Sequence, residues 1–425
     1  MNIALIAVFM LGYIAIASEH FIKVNKAAAA LLTGVVCWSL LVLGSHDFHA
    51  VYRQLMEHTA DTAGILFFLM GAMTIVEIID LYNGFDTITE KLTSAGNRRL
   101  LWLVGILSFF LSAMLDNLTT TIVMVSLLSK LGLKRENLLL YIGIVIISVN
   151  AGGAWSPIGD VTTTMLWIGS QITTVSIMAS LIVPSLVCAA VPLVWVTFKL
   201  KNEASPAGNL ESRTSPGNRH SQRIFVFILG VSCLLFVPVF KGITHLPPFI
   251  GMLFGLGVLW VATECIRQKR QKSGEESHSV LTALQRIDMS TILFFLGILL
   301  SVTALESAGL LSRLGVFLER SIGNISAVVL SIGILSAIVD NVPLVAAAMK
   351  MYPLSHFPPD HYFWTFLSYC AGTGGSILII GSAAGVAAMG MAKIDFFWYL
   401  KRMAPLAFIG YCAGAAVFFV QSRIF

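Results

Sequence analysis

Two Asp-Asn pairs, Asp116-Asn117 and Asp340-Asn341, each interrupt a long apolar stretch, and a third carboxylate, Asp160, closes the run Asn150-Ala-Gly-Gly-Ala-Trp-Ser156-Pro157-Ile-Gly-Asp160. A carboxylate in the hydrocarbon core of a bilayer costs ~2.5–3.5 kcal/mol on insertion scales and more in simulation, so it needs a partner or a task. Glu77, Asp80 and Glu306 also sit in apolar surroundings, close enough to segment ends to snorkel to the interface. No Lys or Arg falls in the core of any apolar segment. The expected counterions are therefore bound cations or protons.

The neighbours of these acids suit that task. Asp116-Asn117 is followed by Leu118, Thr119, Thr120 and Thr121, and Asp160 by Thr162, Thr163 and Thr164. Glycines and Pro157 free backbone carbonyls from helical hydrogen bonds. Such carbonyls, with Asp, Asn, Ser and Thr oxygens, are hard ligands suited to a small alkali cation. No histidine or cysteine lies in these motifs, which argues against a transition metal. The second half offers Asp340-Asn341 and Gly372-Thr373-Gly-Gly375-Ser376 through Gly381-Ser382. There Pro343 stands where the first half has Thr119, and Ser382 where it has Asp160. The first half is thus better supplied with anionic and hydroxyl oxygens. Candidate site residues are Asp116, Asn117, Thr119, Thr120, Asn150, Ser156 and Asp160, with Asp340, Asn341, Thr373 and Ser376.

The elements that hold these residues must be membrane helices. The 425 residues are 57% hydrophobic and 12% charged, with a mean hydropathy of +0.85. A soluble domain carries about 25% charged residues. Apolar runs long enough to span recur throughout, where a barrel would show short alternating segments. Spans are expected near 2–18, 27–44, 61–80, 138–170, 173–198, 223–240, 248–266, 289–305, 362–391 and 399–420. The stretches 99–131 and 324–352 read as re-entrant hairpins with Asp-Asn tips, because each arm falls short of a span. The segments 138–170 and 362–391 read as helices broken at their glycines. The stretches 81–97 and 307–322 are amphipathic and precede the hairpins; each is either a surface-lying helix or an ordinary connection.

The halves repeat. Ile65-Leu-Phe-Phe-Leu69 recurs as Ile292-Leu-Phe-Phe-Leu296, Ser112-Ala-Met-Leu-Asp-Asn117 as Ser336-Ala-Ile-Val-Asp-Asn341, and Pro157-Ile-Gly-Asp160 as Ile379-Ile-Gly-Ser382, at offsets of 227, 224 and 222. Three collinear matches point to duplication. The expected architecture is an all-α polytopic membrane protein with two inverted-topology repeats, 1–199 and 223–425, joined by a Ser/Pro/Gly-rich linker at 200–222. Each repeat has five spans and one hairpin, so the second enters from the opposite side. The resulting loops put 21 of the 27 Lys and Arg on one face. The positive-inside rule makes that face cytoplasmic, with both termini outside. The net charge of +5 comes from those loops and does not indicate nucleic-acid binding. The six cysteines are scattered singly and read as small core residues. The N-terminus lacks a basic signal-peptide region, so the first apolar segment is expected to be a retained helix.

At Leu115-Asp-Asn-Leu-Thr-Thr-Thr-Ile-Val-Met124, Asn150–Thr164 and Val339-Asp-Asn-Val-Pro343 the sequence resembles the NhaD family of sodium/proton antiporters. That family falls within the ion transporter superfamily, which also holds arsenite and dicarboxylate carriers. The resemblance covers nearly the whole chain. It implies hairpin tips meeting broken helices around a central ion site, a homodimer, alternating access and no cofactor beyond the transported ions. Dicarboxylate carriers of that superfamily have uncharged tips, whereas Asp116 and Asp340 would repel an anion. The expectation is Na⁺ or Li⁺ exchanged for H⁺ across an inner membrane. Na⁺ would sit at Asp116, Asn117, Asn150 and Asp160, and Asp116 and Asp160 would take Na⁺ or a proton in turn. An anion or oxyanion carrier using helix N-termini is the rival. A channel is a further alternative. An intramembrane enzyme finds no HExxH, GxSxG or Ser/His/Asp arrangement in its support.

Overall fold

The computed structural model describes residues 2–45, 47–85, 96–200, 217–272 and 279–424. Among them every regular element is a helix. A bilayer has no water to satisfy exposed backbone groups, so a spanning chain must pair each N–H and C=O within its own helix. The first half contains α1 (Asn2–Ala17), α2 (Glu19–Ile22), α3 (Lys26–Leu43), α4 (Phe48–Leu81), α5 (Asn97–Leu115), α6 (Asn117–Lys130), α7 (Arg135–Ala154), α8 (Val161–Ile168) and α9 (Thr174–Lys199). The second contains α10 (Gly217–Thr244), α11 (Pro248–Lys272), α12 (Val280–Arg286), α13 (Met289–Ser307), α14 (Leu310–Ile322), α15 (Ile325–Leu335), α16 (Asn341–Met351), α17 (Tyr362–Gly374), α18 (Ala383–Ala392), α19 (Phe396–Arg402) and α20 (Ala404–Ile424). Nine of these helices are long and apolar enough to cross a membrane, or ten if the bent pair α14–α15 counts as one. The chain is a multi-pass membrane protein.

Helix ends depart from the hydropathic expectation where polar residues extend a helix. α4 runs for 34 residues, well beyond 61–80, because its first turns carry Arg53, Glu57, His58 and Asp61. α5 begins at Asn97 and reaches 19 residues, long enough to cross alone. The expected arm starting at 99 was shorter because Arg98 lies in the first turn of α5. α14 turns 113° into α15, at Gly323, whose φ of +68° is open to glycine without strain. The linker at 201–216, most of the 81–97 stretch and residues 273–278 lie outside the described residues.

The expected breaks are present. α5 and α6 part at Asp116, whose φ of +111° is a conformation rarely adopted by a residue with a side chain. α15 and α16 part at residues 336–340, α7 and α8 at 155–160, and α17 and α18 at 375–382. Close contacts recur between the halves. A Cβ on Gly152 would lie 2.1 Å from the Phe109 carbonyl oxygen, and one on Gly374 would lie 2.0 Å from the Gly333 carbonyl oxygen. Ser112 donates to the Val149 carbonyl at 2.6 Å, and Ser336 donates to the Ala371 carbonyl at 2.9 Å. The helix before each tip is therefore packed backbone to backbone against a broken helix. α6 packs on α18, and α16 on α8, so each tip helix leans on the other half's break. Around this centre α3 lies along α13 and α9 along α20.

Candidate ion site between the tips and the broken helices

Four helices, α6, α8, α16 and α18, begin at the breaks, and each starts with a polar cap. Asp116 caps α6 by accepting from the Thr119 amide at 2.7 Å and the Thr119 hydroxyl at 2.9 Å. Asp160 caps α8 by accepting from the Thr162 amide at 2.9 Å and its hydroxyl at 3.0 Å, both on Oδ1. Asp340 caps α16 through the Val342 amide at 3.3 Å, and Ser382 caps α18 through the Gly385 amide at 3.2 Å. Amide groups at a helix start carry partial positive charge, so these positions suit anionic oxygens.

Asp160 is where the breaks meet. Its Oδ2 accepts from Asn117 Nδ2 at 3.0 Å and from Asn341 Nδ2 at 3.3 Å, one amide from each tip. Asn117 also donates to Asn150 Oδ1 at 3.2 Å, and Asn150 donates to Ser382 Oγ at 3.1 Å. Asn117, Asn150, Asp160, Asn341 and Ser382 thus form one buried cluster. Asp160 is only 2% exposed. Asp116 and Asp340 flank it, half-buried and within electrostatic reach of its carboxylate. The cluster brings one carboxylate together with amide and hydroxyl oxygens, hard donors of the kind that suit a small monovalent cation or a proton.

The remaining candidate residues divide. Thr119 serves the Asp116 cap. Thr120 Oγ1 is buried without a hydrogen-bond partner among the described residues. Ser156 Oγ donates to the Ala113 carbonyl at 2.5 Å, tying the first break to the first tip. Thr373 and Ser376 donate to the carbonyls of Tyr369 and Thr373, at 2.6 and 2.7 Å. Their hydroxyls are engaged by helix α17 and do not join the cluster at Asp160. Ser382 does join it, although it was not among the candidate ligands. Its alignment with Asp160 was the available signal.

The expectation that the buried acids lack protein cations needs correction. Lys26 Nζ lies 3.1 Å from Asp340 Oδ2, Lys350 Nζ lies 3.1 Å from Glu306 Oε2, and Arg286 Nη1 lies 3.5 Å from Glu77 Oε1. These cations stand at or near helix ends, and long side chains carry the charge inward while the stem packs on apolar surface. Asp116 and Asp160 show no ion pair with Lys or Arg among the described residues.

Within a bundle of apolar helices, an amide from each Asp-Asn break thus reaches one buried carboxylate, and the chain's relatives are membrane transporters. The sequence matches the CitMHS family, described as citrate transporter, over residues 13–367. The chain is 47% identical to Sodium/proton antiporter 1 of Arabidopsis thaliana, over 98% of this chain and 72% of the relative. It is 31% identical to the Na(+)/H(+) antiporter NhaD of Alkalimonas amylolytica, over 97% of this chain and 89% of the relative. Its fold resembles the YdaH transporter of Alcanivorax borkumensis, with a TM-score of 0.59 at 12% identity over 94% of this chain and 97% of that one. The chain belongs to the CitMHS family and to the NhaD-type sodium/proton antiporters.

Proposed function

We propose that the chain exchanges Na⁺, or Li⁺, for H⁺ across the inner membrane by alternating access, with Asp160 as the carboxylate that takes either ion. The observation that carries this reading is the setting of Asp160. It is buried, bound by an amide from each tip, and without a lysine or arginine partner among the described residues. A single carboxylate that holds sodium or a proton, never both, gives obligatory exchange with no separate coupling device. Asp116 is the second acid of the site, and Asn117, Asn150, Thr120 and Asn341 supply neutral oxygens.

The recurring contacts at Gly152 and Gly374, and at Ser112 and Ser336, support the reading of 1–199 and 223–425 as inverted repeats. In that reading both termini face outward and the chain works as a homodimer. The family's description as citrate transporter favours a second reading, an anion carrier using the four helix starts. Three of those starts are already capped by the chain's own carboxylates, which oppose a polyanion. Everted membrane vesicles with an imposed pH gradient separate the readings. NaCl and LiCl should dissipate the gradient, and choline chloride should not. Dissipation by citrate salts of choline alone would favour the anion carrier.

A further inference from the structure

The two tip aspartates are equivalent in sequence and unequal in surroundings. Asp116 is held by Thr119, through one amide and one hydroxyl. Asp340 has Pro343 in the place of that threonine and receives an ammonium instead, from Lys26 at 3.1 Å. Lys26 is the first residue of α3. A cation at a helix N-terminus is opposed by the macrodipole. Its place there needs another cause, and several contacts supply one. The ammonium lies 4.3 Å from the ring centre of Phe294 on α13 and reaches across to the Asp340 carboxylate. The Lys26 backbone amide is fixed by Glu19 Oε1 at 3.1 Å. The preceding Asn25 caps α3 and accepts from Ser290 on α13 at 2.9 Å. Tyr13, whose hydroxyl is buried without a hydrogen-bond partner among the described residues, lies within electrostatic reach of Asp340, as does Asp160.

We infer that Lys26 is a resident cation for the second tip, occupying with its ammonium the place that a transported ion would otherwise take at Asp340, so that the chain binds one exchangeable Na⁺ rather than two. This rests on the antiport reading. The geometry favours it because an ammonium and a sodium ion satisfy a carboxylate by the same charge. A tethered lysine at 3.1 Å also has a far higher local concentration than a dissolved ion. The lysine comes from α3, packed along α13, and the aspartate from the tip. The pair therefore also joins that tip to the surrounding helices without either residue contacting the transported ion.

Equilibrium binding of ²²Na⁺ to the purified full-length protein in nanodiscs at alkaline pH tests the inference. Wild type and Lys26→Arg should each bind one Na⁺ per chain. Lys26→Gln should bind two, because Asp340 is left without its cation. The doubly neutral Lys26→Gln/Asp340→Asn should return to one. A merely structural role for Lys26 would change the amount of folded protein, not the number of ions per chain. Two Na⁺ per wild-type chain, or one Na⁺ in Lys26→Gln with a wild-type elution profile, would overturn the assignment while leaving sodium binding in place. The wild-type count bears on the assignment even where Lys26→Gln does not fold. No Na⁺ bound by wild type would overturn both this inference and the antiport reading.

Discussion

Replacing Gly152 by alanine is a demanding test of how the first tip is held. The added methyl would lie 2.1 Å from the Phe109 carbonyl oxygen, 2.8 Å from its carbon and 2.9 Å from its Cα. All are backbone atoms, so no side chain can swing away. Real Cβ contacts essentially never fall under 3.0 Å, which leaves a shortfall of about 0.9 Å that only separation of α5 from α7 can supply. One turn away, the 2.6 Å bond from Ser112 to the Val149 carbonyl crosses the same interface and would be stretched beyond useful length. Overpacking of this kind costs about 1–3 kcal/mol, and the lost hydrogen bond about 1 kcal/mol more. Asn117 and Asp160, joined by a 3.0 Å hydrogen bond, lie just beyond the C-terminal ends of the two helices being separated. Misplacement of this order commonly costs roughly a hundredfold in rate. Gly152→Ala should therefore lower the thermal midpoint of the purified protein and reduce Na⁺-driven proton flux in proteoliposomes at least tenfold. Gly374→Ala, whose methyl would meet the Gly333 carbonyl oxygen at 2.0 Å, should behave alike. Wild-type stability and flux in Gly152→Ala would refute the packing argument.

Other outcomes follow from the same site. If one carboxylate serves both ions, apparent Na⁺ affinity in the vesicle assay should fall as pH drops, approaching about tenfold per unit once protons dominate; a pH-independent affinity would mean separate sites. Asn117→Ala removes two donors at once, to Asp160 and Asn150, and Asn341→Ala removes one. The first should impair exchange more than the second, compared at equal amounts in the membrane. Single cysteines at positions 215 and 271, in a background without native cysteines, should be labelled only from the cytoplasm; labelling of either from outside intact cells contradicts the inverted topology.

Much of the site was legible because membrane chemistry makes acids conspicuous. Asp116, Asp160 and Asp340 stand out in an apolar sequence, and each starts a helix where the break was expected. Asn150 was found in the glycine-rich break that leads to Asp160, and Asn341 by the repeat, which also marks Ser382. Side-chain reach was not legible. Lys26 reads as a loop residue next to an apolar run, and only the packing of α3 against α13 brings it to a tip more than 300 positions away. Hydroxyl direction was equally hidden. Thr120 has no hydrogen-bond partner among the described residues while Thr373 turns to its own helix, and composition treats them alike. Helix length was underestimated for α4 and α5 because polar first turns carry no hydropathic signal.

The central claim, that Asp160 is the carboxylate shared by sodium and proton, is tested most directly by Asp160→Asn in everted vesicles. The substitution nearly preserves shape and removes the charge. Removing a buried charge lifts a desolvation cost, so membrane insertion should be unchanged. Wild-type vesicles should lose their pH gradient on addition of NaCl, and vesicles with equal amounts of Asp160→Asn should keep it. Full sodium-driven dissipation by Asp160→Asn would contradict the account.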